Sequence, residues 1–421
     1  MTPGVDQRQH HAPPAQTSLG ISANTVHAPK RKRAPALDES EQATREKRYQ
    51  LQRAAQGLLP QERVVHCQRS MMGGGVDVYT SEAGASFGNL ATCGSVWHCP
   101  VCAAKITEGR RQELQGAITA WANQGGEVYL MSLTFPHQVN QALADNLSGF
   151  SSALRKFKNS RVYKKTMEAV GSAGSIRALE VTHGSNGWHP HTHDLVFAGK
   201  DQIDLLERLQ SAWIETLIKV GLADRCQVND MMQAAFDVRN GDYAAEYVAK
   251  FGFEPSNSSR IATGETWGAA SELTKGFAKV GKRFKGRTPF TLLRDFIEGD
   301  QESGALFQEF ALHFKGKRQL FWSPKLRKAL AIPEKTDEEI AAELPPKREF
   351  CTRLLHEDWQ LVLSRNARWQ VLKAAQDGGA PAVAALLQSL PTRRRTHQGT
   401  YCYQEYGGHK NNLPYWVEMN G

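Results

Sequence analysis

Apolar side chains recur along the middle of the chain at two different periods, and each change of period marks the end of an element. From Lys105 to Ala122, the residues Ile106, Leu114, Ala117, Ile118 and Trp121 fall at helical spacing. Val128 to Phe135 is a short apolar run between Gly125-Gly126 and Pro136, which predicts a strand. Leu143, Leu147, Phe150, Leu154 and Phe157 return to steps of three and four and predict a helix with one apolar face. Ile176 to His183 predicts the next strand, and Gly184-Ser185-Asn186-Gly187 turns the chain into another that ends in Leu195-Val196-Phe197. Leu205, Leu206, Leu209, Trp213 and Leu217 predict a helix, Ala234 to Val238 a short strand, and Asp242 is placed to cap a helix through Tyr243 and Phe251. The order β, α, β, β, α, β, α predicts an α+β fold of the ferredoxin-like, split βαβ kind. In it an antiparallel sheet carries helices on one face, with a last helix near the open face and the strand ending at Phe197 in the centre.

The flanks read differently. Residues 1 to about 50 are rich in Gln, Pro, Ser and Thr, and too poor in large apolar side chains to offset the entropy of ordering them. They predict a disordered basic tail over residues 1–55 that carries Lys30-Arg31-Lys32-Arg33. A small knuckle over 56–110 leads into the α+β domain over 111–265. A basic, mainly helical extension follows over 266–345, and a helical region of unassigned role over 346–421, with an amphipathic helix from Trp359 to Ala375.

Composition narrows the function classes. With 421 residues and 40% hydrophobic side chains the chain can bury a real core. The net charge of +9 favours a polyanionic partner such as nucleic acid. No stretch is apolar for long enough to cross a membrane and no secretory leader opens the sequence, so a cytoplasmic location without membrane partners is expected. No G-x-x-x-x-G-K-[ST] segment is present, which excludes a P-loop ATPase.

Two patterns carry chemistry. In Cys93-Gly94-Ser95-Val96-Trp97-His98-Cys99-Pro100-Val101-Cys102 the C-P-x-C knuckle can point two thiolates at one ion. With Cys67 and Cys93 it has the makings of a closed four-thiolate Zn²⁺ site, in which His98 or His66 could replace one thiolate. The second pattern is Gly187-Trp188-His189-Pro190-His191-Thr192-His193-Asp194. Successive strand side chains alternate between faces, so His189, His191 and His193 share one face. Such a set suits Mn²⁺, Mg²⁺ or Zn²⁺ once a carboxylate joins it. The preceding strand offers Glu180 and His183, which have opposite parity. Glu180 joins the histidines if it pairs opposite His191, and a slip of one residue substitutes His183. His189, at the mouth of the turn, is a third ligand, an outer-shell group or a phosphate contact. The helix that follows puts Tyr243, Tyr247 and Phe251 on one face, with Lys250 beside a bound phosphate or paired with Glu246.

These motifs, in this order, resemble those of the HUH-endonuclease replication initiators of rolling-circle plasmids. The shared features are Leu133-Thr134-Phe135-Pro136, then H-x-H before an apolar run, then Tyr247-Val248-Ala249-Lys250-Phe251, all preceded by the cysteine motif of one plasmid Rep branch. The resemblance spans roughly Cys67 to Phe251 and extends through Thr288-Pro289-Phe290 to Leu320-Phe321-Trp322-Ser323. It implies that residues 111–265 form an HUH endonuclease domain, that His191 and His193 bind Mg²⁺ or Mn²⁺, and that Tyr247 attacks single-stranded or hairpin plasmid origin DNA. The products would be a 5′-phosphotyrosine and a 3′-hydroxyl primer, with rejoining at termination and with host helicase and DNA polymerase as partners. Some members use a group four residues after the nucleophile for termination; here that residue is Phe251, so Tyr243 or Glu246 would have to serve.

Downstream, Lys275, Lys279, Lys282, Arg283, Lys285 and Arg287 interleave with Phe277 and Phe284, a composition suited to a DNA groove. Two enzyme alternatives and one binding module compete. A relaxase or transposase of the same class would share the site. A metallo-β-lactamase-like hydrolase fails on spacing, because Leu195 stands where that signature needs an aspartate. A zinc-dependent DNA-binding protein without catalysis would leave the histidines unused.

Overall fold

A computed structural model describes residues 39–241, Ala244 and residues 286–391. These residues belong to one of the two units into which the chain divides, residues 35–421. The first described element is helix α1 (Glu39–Leu58), so residues 39–55 of the expected disordered tail are helical; residues 1–38 lie outside the described residues. Composition averaged over the tail hides that Leu51, Ala55 and Leu58 recur at helical spacing, and all three are buried.

Strands β1 (Val76–Thr80) and β2 (Ser86–Gly88) follow, then helix α2 (Pro100–Asn123), in which Cys99 is the N-cap and Pro100 occupies the first turn. The main sheet begins with β3 (Glu127–Leu133) and continues through α3 (Leu143–Asn159), α4 (Arg161–Ala169), β4 (Gly174–Gly184) and β5 (Gly187–Ala198). The expected helix after β5 is two helices, α5 (Ile203–Glu207) and α6 (Leu209–Lys219). Helix α7 (Val228–Ala234) precedes β6 (Phe236–Arg239). Strand β7 (Leu320–Trp322) returns to the same sheet, whose order is β6-β3-β5-β4-β7 with every pairing antiparallel. The region from 290 to 342 is therefore not simply helical. Three strand residues between the helix Gln301–Phe314 and the helix Leu326–Ala329 are too few to show alternation in sequence.

Helices cover both faces of this sheet, not one. Tyr129, Met131, Leu133 and Val196 pack against Phe150, Leu154 and Phe157 of α3 and Trp213 of α6. On the reverse face Val128, Leu130, Leu195 and Phe197 pack against Leu114 and Ala117 of α2. The reason lies in β3 itself. Val128-Tyr129-Leu130-Met131 is apolar at both parities, so leaving either face to water would forgo about 1.5–3 kcal/mol per large side chain.

A second sheet, β2-β1-β8, takes its last strand, β8 (Glu349–Leu354), from the far end of the chain. Buried Asp77 of β1 accepts from Arg353 Nε (2.6 Å), Tyr79 Oη (3.2 Å) and Asn89 Nδ2 (2.7 Å), which ties the strands together. The helix expected from Trp359 to Ala375 is divided between His356–Ser364 and a helix that starts at Arg368, separated where Asn366 takes a positive φ of 51°; the run from Arg368 to Ser389 is itself broken at Gly379, whose φ is +65°. Residues 346–391 thus complete the layer that begins in the cysteine region.

Candidate metal centres

Cys67, Cys93, Cys99 and Cys102 are brought together in the core between α1 and α2, all buried. Their sulfurs lie 3.4 Å (Cys67–Cys102), 3.6 Å (Cys93–Cys102) and 3.6 Å (Cys99–Cys67) apart. Four thiolates at about 2.3 Å from one tetrahedral ion stand about 3.8 Å apart, so the cluster fits Zn²⁺. His98 is not a ligand here: its Nε2 lies 3.0 Å from the carbonyl of Ala311, and His66 Nδ1 lies 3.3 Å from Ser70 Oγ. Hydrogen bonds from Cys67, Cys93 and Cys99 pull the Cys102 thiol down, while its hydrogen bond with Cys102 pushes Cys67 up and burial pushes Cys99 up. Outer support comes from Gln52 of α1, whose Nε2 donates to Cys99 Sγ (3.2 Å) and whose Oε1 accepts from buried Arg368 (2.8 Å).

The second centre lies on the α2-covered face of the main sheet. The hairpin register pairs Glu180 with His191 and closes on Gly184 opposite Gly187, whose φ of +80° brings a two-residue turn within reach. Glu180, His191 and His193 therefore converge. The Nε2 atoms of His191 and His193 lie 3.5 and 3.8 Å from Glu180 Oε2. Those spacings exceed a direct hydrogen bond and come close to the roughly 3.0–3.4 Å between two ligands about 2.1 Å from one ion. The rings are held from behind. His191 Nδ1 donates to the carbonyl of His189 (3.2 Å), and His193 Nδ1 lies 2.9 Å from Ser132 Oγ of β3. Both Nε2 atoms are thereby turned toward the carboxylate, and burial lowers the pKa of His193, which favours the neutral, ligating form. One carboxylate and two imidazoles can hold Mg²⁺, Mn²⁺ or Zn²⁺.

His189 stands outside this triad. Its Nε2 is 3.1 Å from Thr134 Oγ1, its Nδ1 is 3.2 Å from His137 Nδ1, and its ring stacks on His191. Burial, then the neighbouring His191 and His137, push its pKa down to about 3. His183 turns to the opposite face, where its ring meets Trp188. Ser132, Thr134 and His137 are the site residues that sequence reasoning missed. For Ser132 and Thr134 the signal lay in the parity of β3, which reaches the histidines only once β3 is laid antiparallel to β5, with Ser132 opposite His193; His137 lies in the loop after β3, where parity carries no signal.

Tyr243, Glu246, Tyr247 and Lys250 lie outside the described residues, as do Lys275, Lys282, Arg283 and Lys285. Ala244 is described, and it is fully buried in the cluster on the histidine face of the sheet. Arg287 is tied to the fold: its guanidinium donates to Ser303 Oγ (2.8 Å) and pairs with Asp300 (3.3 Å) and Asp295 (3.5 Å). No helix among the described residues is long and apolar enough to cross a membrane.

No family model matches the chain. No solved structure matches it closely enough to count as similar. Among curated proteins, it is 31% identical over 155 residues to a neomycin resistance protein of Streptomyces cyanogenus, an alignment covering 30% of this chain and 35% of that protein. Over 321 residues it is 26% identical to "Protein rep" of Streptomyces lividans, covering 61% of this chain and 68% of that one. The chain is a distant relative of a Streptomyces Rep protein.

Proposed function

We propose that the chain initiates plasmid replication by nicking, and later rejoining, single-stranded origin DNA. The observation that carries this reading is the convergence of Glu180, His191 and His193 on one face of the central strand pair, each ring held from behind. The similarity to a Rep protein supplies the biological context. The strand order β6-β3-β5-β4 is the one expected of a ferredoxin-like βαββαβ unit, with β7 added at its edge.

Glu180, His191 and His193 would hold a divalent cation, Mg²⁺ or Mn²⁺, which when bound polarises a phosphodiester and neutralises charge as the phosphorus is attacked. His189, kept neutral, braces His191 and adds no second positive charge to the site. Tyr247 is the nucleophile in this reading. Ala244, three residues before it, is buried on the histidine face, which is the face Tyr247 must reach. The Tyr247 oxygen bonds to phosphorus, the bond from phosphorus to the 3′ oxygen breaks, the phenol proton passes to a base such as Glu246, and the departing oxygen takes a proton to become the 3′-hydroxyl. The origin strand, a host helicase and a polymerase are the partners this activity requires. Zn²⁺ in the four-cysteine cluster has a structural role.

The test is incubation of the protein with Mn²⁺ and single-stranded cognate origin DNA, followed by denaturing electrophoresis. Wild type is expected to form a covalent protein–DNA adduct, and Tyr247→Phe none. An adduct in the Tyr247→Phe variant would reassign the nucleophile, and no adduct on any cognate origin would leave a zinc-dependent DNA-binding protein.

A further inference from the structure

The sheet face opposite the histidines carries its own groove. It has a volume of about 310 Å³ and lies between α3 and the β4–β7 edge, at the small end of the roughly 300–1,000 Å³ range of ligand sites. Leu147, Leu154 and Leu179 line it, and Arg155, Lys158, Arg177, Lys317 and Arg318 surround them. No acidic side chain among the described residues lines it. Lys158 is paired with buried Asp194, whereas Arg155, Arg177, Lys317 and Arg318 make no ion pair among the described residues.

Two further observations point to an occupant. Phe321 of β7 is 46% exposed, and the Arg177 guanidinium lies 5.1 Å from the centroid of its ring. Thr192 Oγ1 and Gln319 Oε1, both on the groove lining, are buried polar atoms that make no hydrogen bond, a costly arrangement unless something else supplies one. An aromatic ring, unneutralised cations and unsatisfied hydrogen-bonding groups together describe a nucleotide with its base unpaired. A duplex, whose bases are stacked and paired, would leave the ring and both polar atoms unused.

We propose that this groove binds an unpaired nucleotide within a DNA single strand, with the base on Phe321 and the flanking phosphates on Arg155, Arg177 and Arg318. This rests on the reading of the chain as a DNA-acting protein, and it places a second strand contact on the reverse of the sheet from Glu180, His191 and His193.

The test measures anisotropy of labelled oligodeoxythymidylate with the full, zinc-loaded chain in buffer without added Mg²⁺ or Mn²⁺ across a salt series. Phe321→Ala is expected to weaken binding about 5- to 100-fold, and Phe321→Trp to keep it. Arg155→Gln, Arg177→Gln and Arg318→Gln together should reduce the log–log salt slope by about 2, at roughly 0.7 per lost phosphate contact. The proposal fails if wild type does not bind the oligomer, if Phe321→Ala binds as wild type, or if the triple variant keeps the wild-type slope. Competition by thymidine monophosphate as effective per nucleotide as the oligomer would instead make the groove a free-nucleotide pocket and overturn the strand reading. Omitting Mg²⁺ and Mn²⁺ keeps the readout independent of cleavage, so an absent tyrosyl adduct and an absent groove are separately visible.

Discussion

At the scale of single residues, the geometry of the candidate metal centre is set by atoms one step behind Glu180, His191 and His193. Ser132 Oγ fixes the ring of His193, and the His189 carbonyl fixes that of His191. Removing such a partner lowers metal affinity by about 10–100-fold while leaving the ligands in place. Ser132→Ala should therefore weaken Mn²⁺ binding by that factor in calorimetry, and His193→Ala should abolish it; equal affinity in wild type and Ser132→Ala would remove Ser132 from the site. Asp77 offers a test of a different kind. The hydrogen bond from Arg353 leads the causes that hold its carboxyl below the usual range. A carboxylate whose folded pKa is depressed contributes stability that is fully present above the unfolded pKa, about 3.9, and is lost as pH falls through the folded value. Urea midpoints should consequently fall more steeply for wild type than for Asp77→Asn as pH drops below about 4; parallel curves would show that the Arg353 pairing has no such effect.

At the scale of elements, α2 is anchored at both ends. Its N-terminus is the cysteine knuckle, with Cys102 N donating to Cys99 Sγ (3.5 Å), and its later turns cover the histidine face of the main sheet through Leu114 and Ala117. One helix therefore links the two candidate metal centres. Metal analysis of protein purified under reducing conditions should find one zinc per chain and none in Cys67→Ser. Because a structural zinc site contributes folding free energy, the Cys67→Ser protein should also melt at a lower temperature. Retention of zinc by Cys67→Ser would return His98 or His66 to the ligand set.

At the scale of the whole molecule, the last described segments pack on the first ones. Strand β8 pairs with β1, and Arg368, 1% exposed, donates to Gln52 and to the Gln68 carbonyl (3.1 Å), so the last described helix supports the hydrogen bond that Gln52 gives to the zinc cluster. Trp359 is fully buried in the same layer, meets Phe87 edge-on and donates to the Arg69 carbonyl. Trp359→Ala should cost about 3–5 kcal/mol in chemical denaturation. A loss below about 1 kcal/mol would mean that residues 346–391 only rest on the cysteine region and are not part of it.

Much of this was legible in the chain before any tertiary contact was known. The period of the apolar residues marked β3, α3, β4 and β5, because burying one stripe or one face leaves that period in the sequence. The alternation of His189, His191 and His193 gave a shared face, and the two-residue spacing of Cys99 and Cys102 gave a knuckle, since both follow from local backbone geometry. Local geometry could not choose between Glu180 and His183. That choice belongs to the hairpin register, which a slip of one residue would reverse. Nor could it reveal Ser132, Thr134 and His137, which meet the histidines only through a pairing between strands far apart in sequence. The short strand β7, the burial of both sheet faces and the joining of β8 to β1 were likewise tertiary decisions. Each depends on which surface happens to lie opposite, and a period records only that a face is buried, not what buries it.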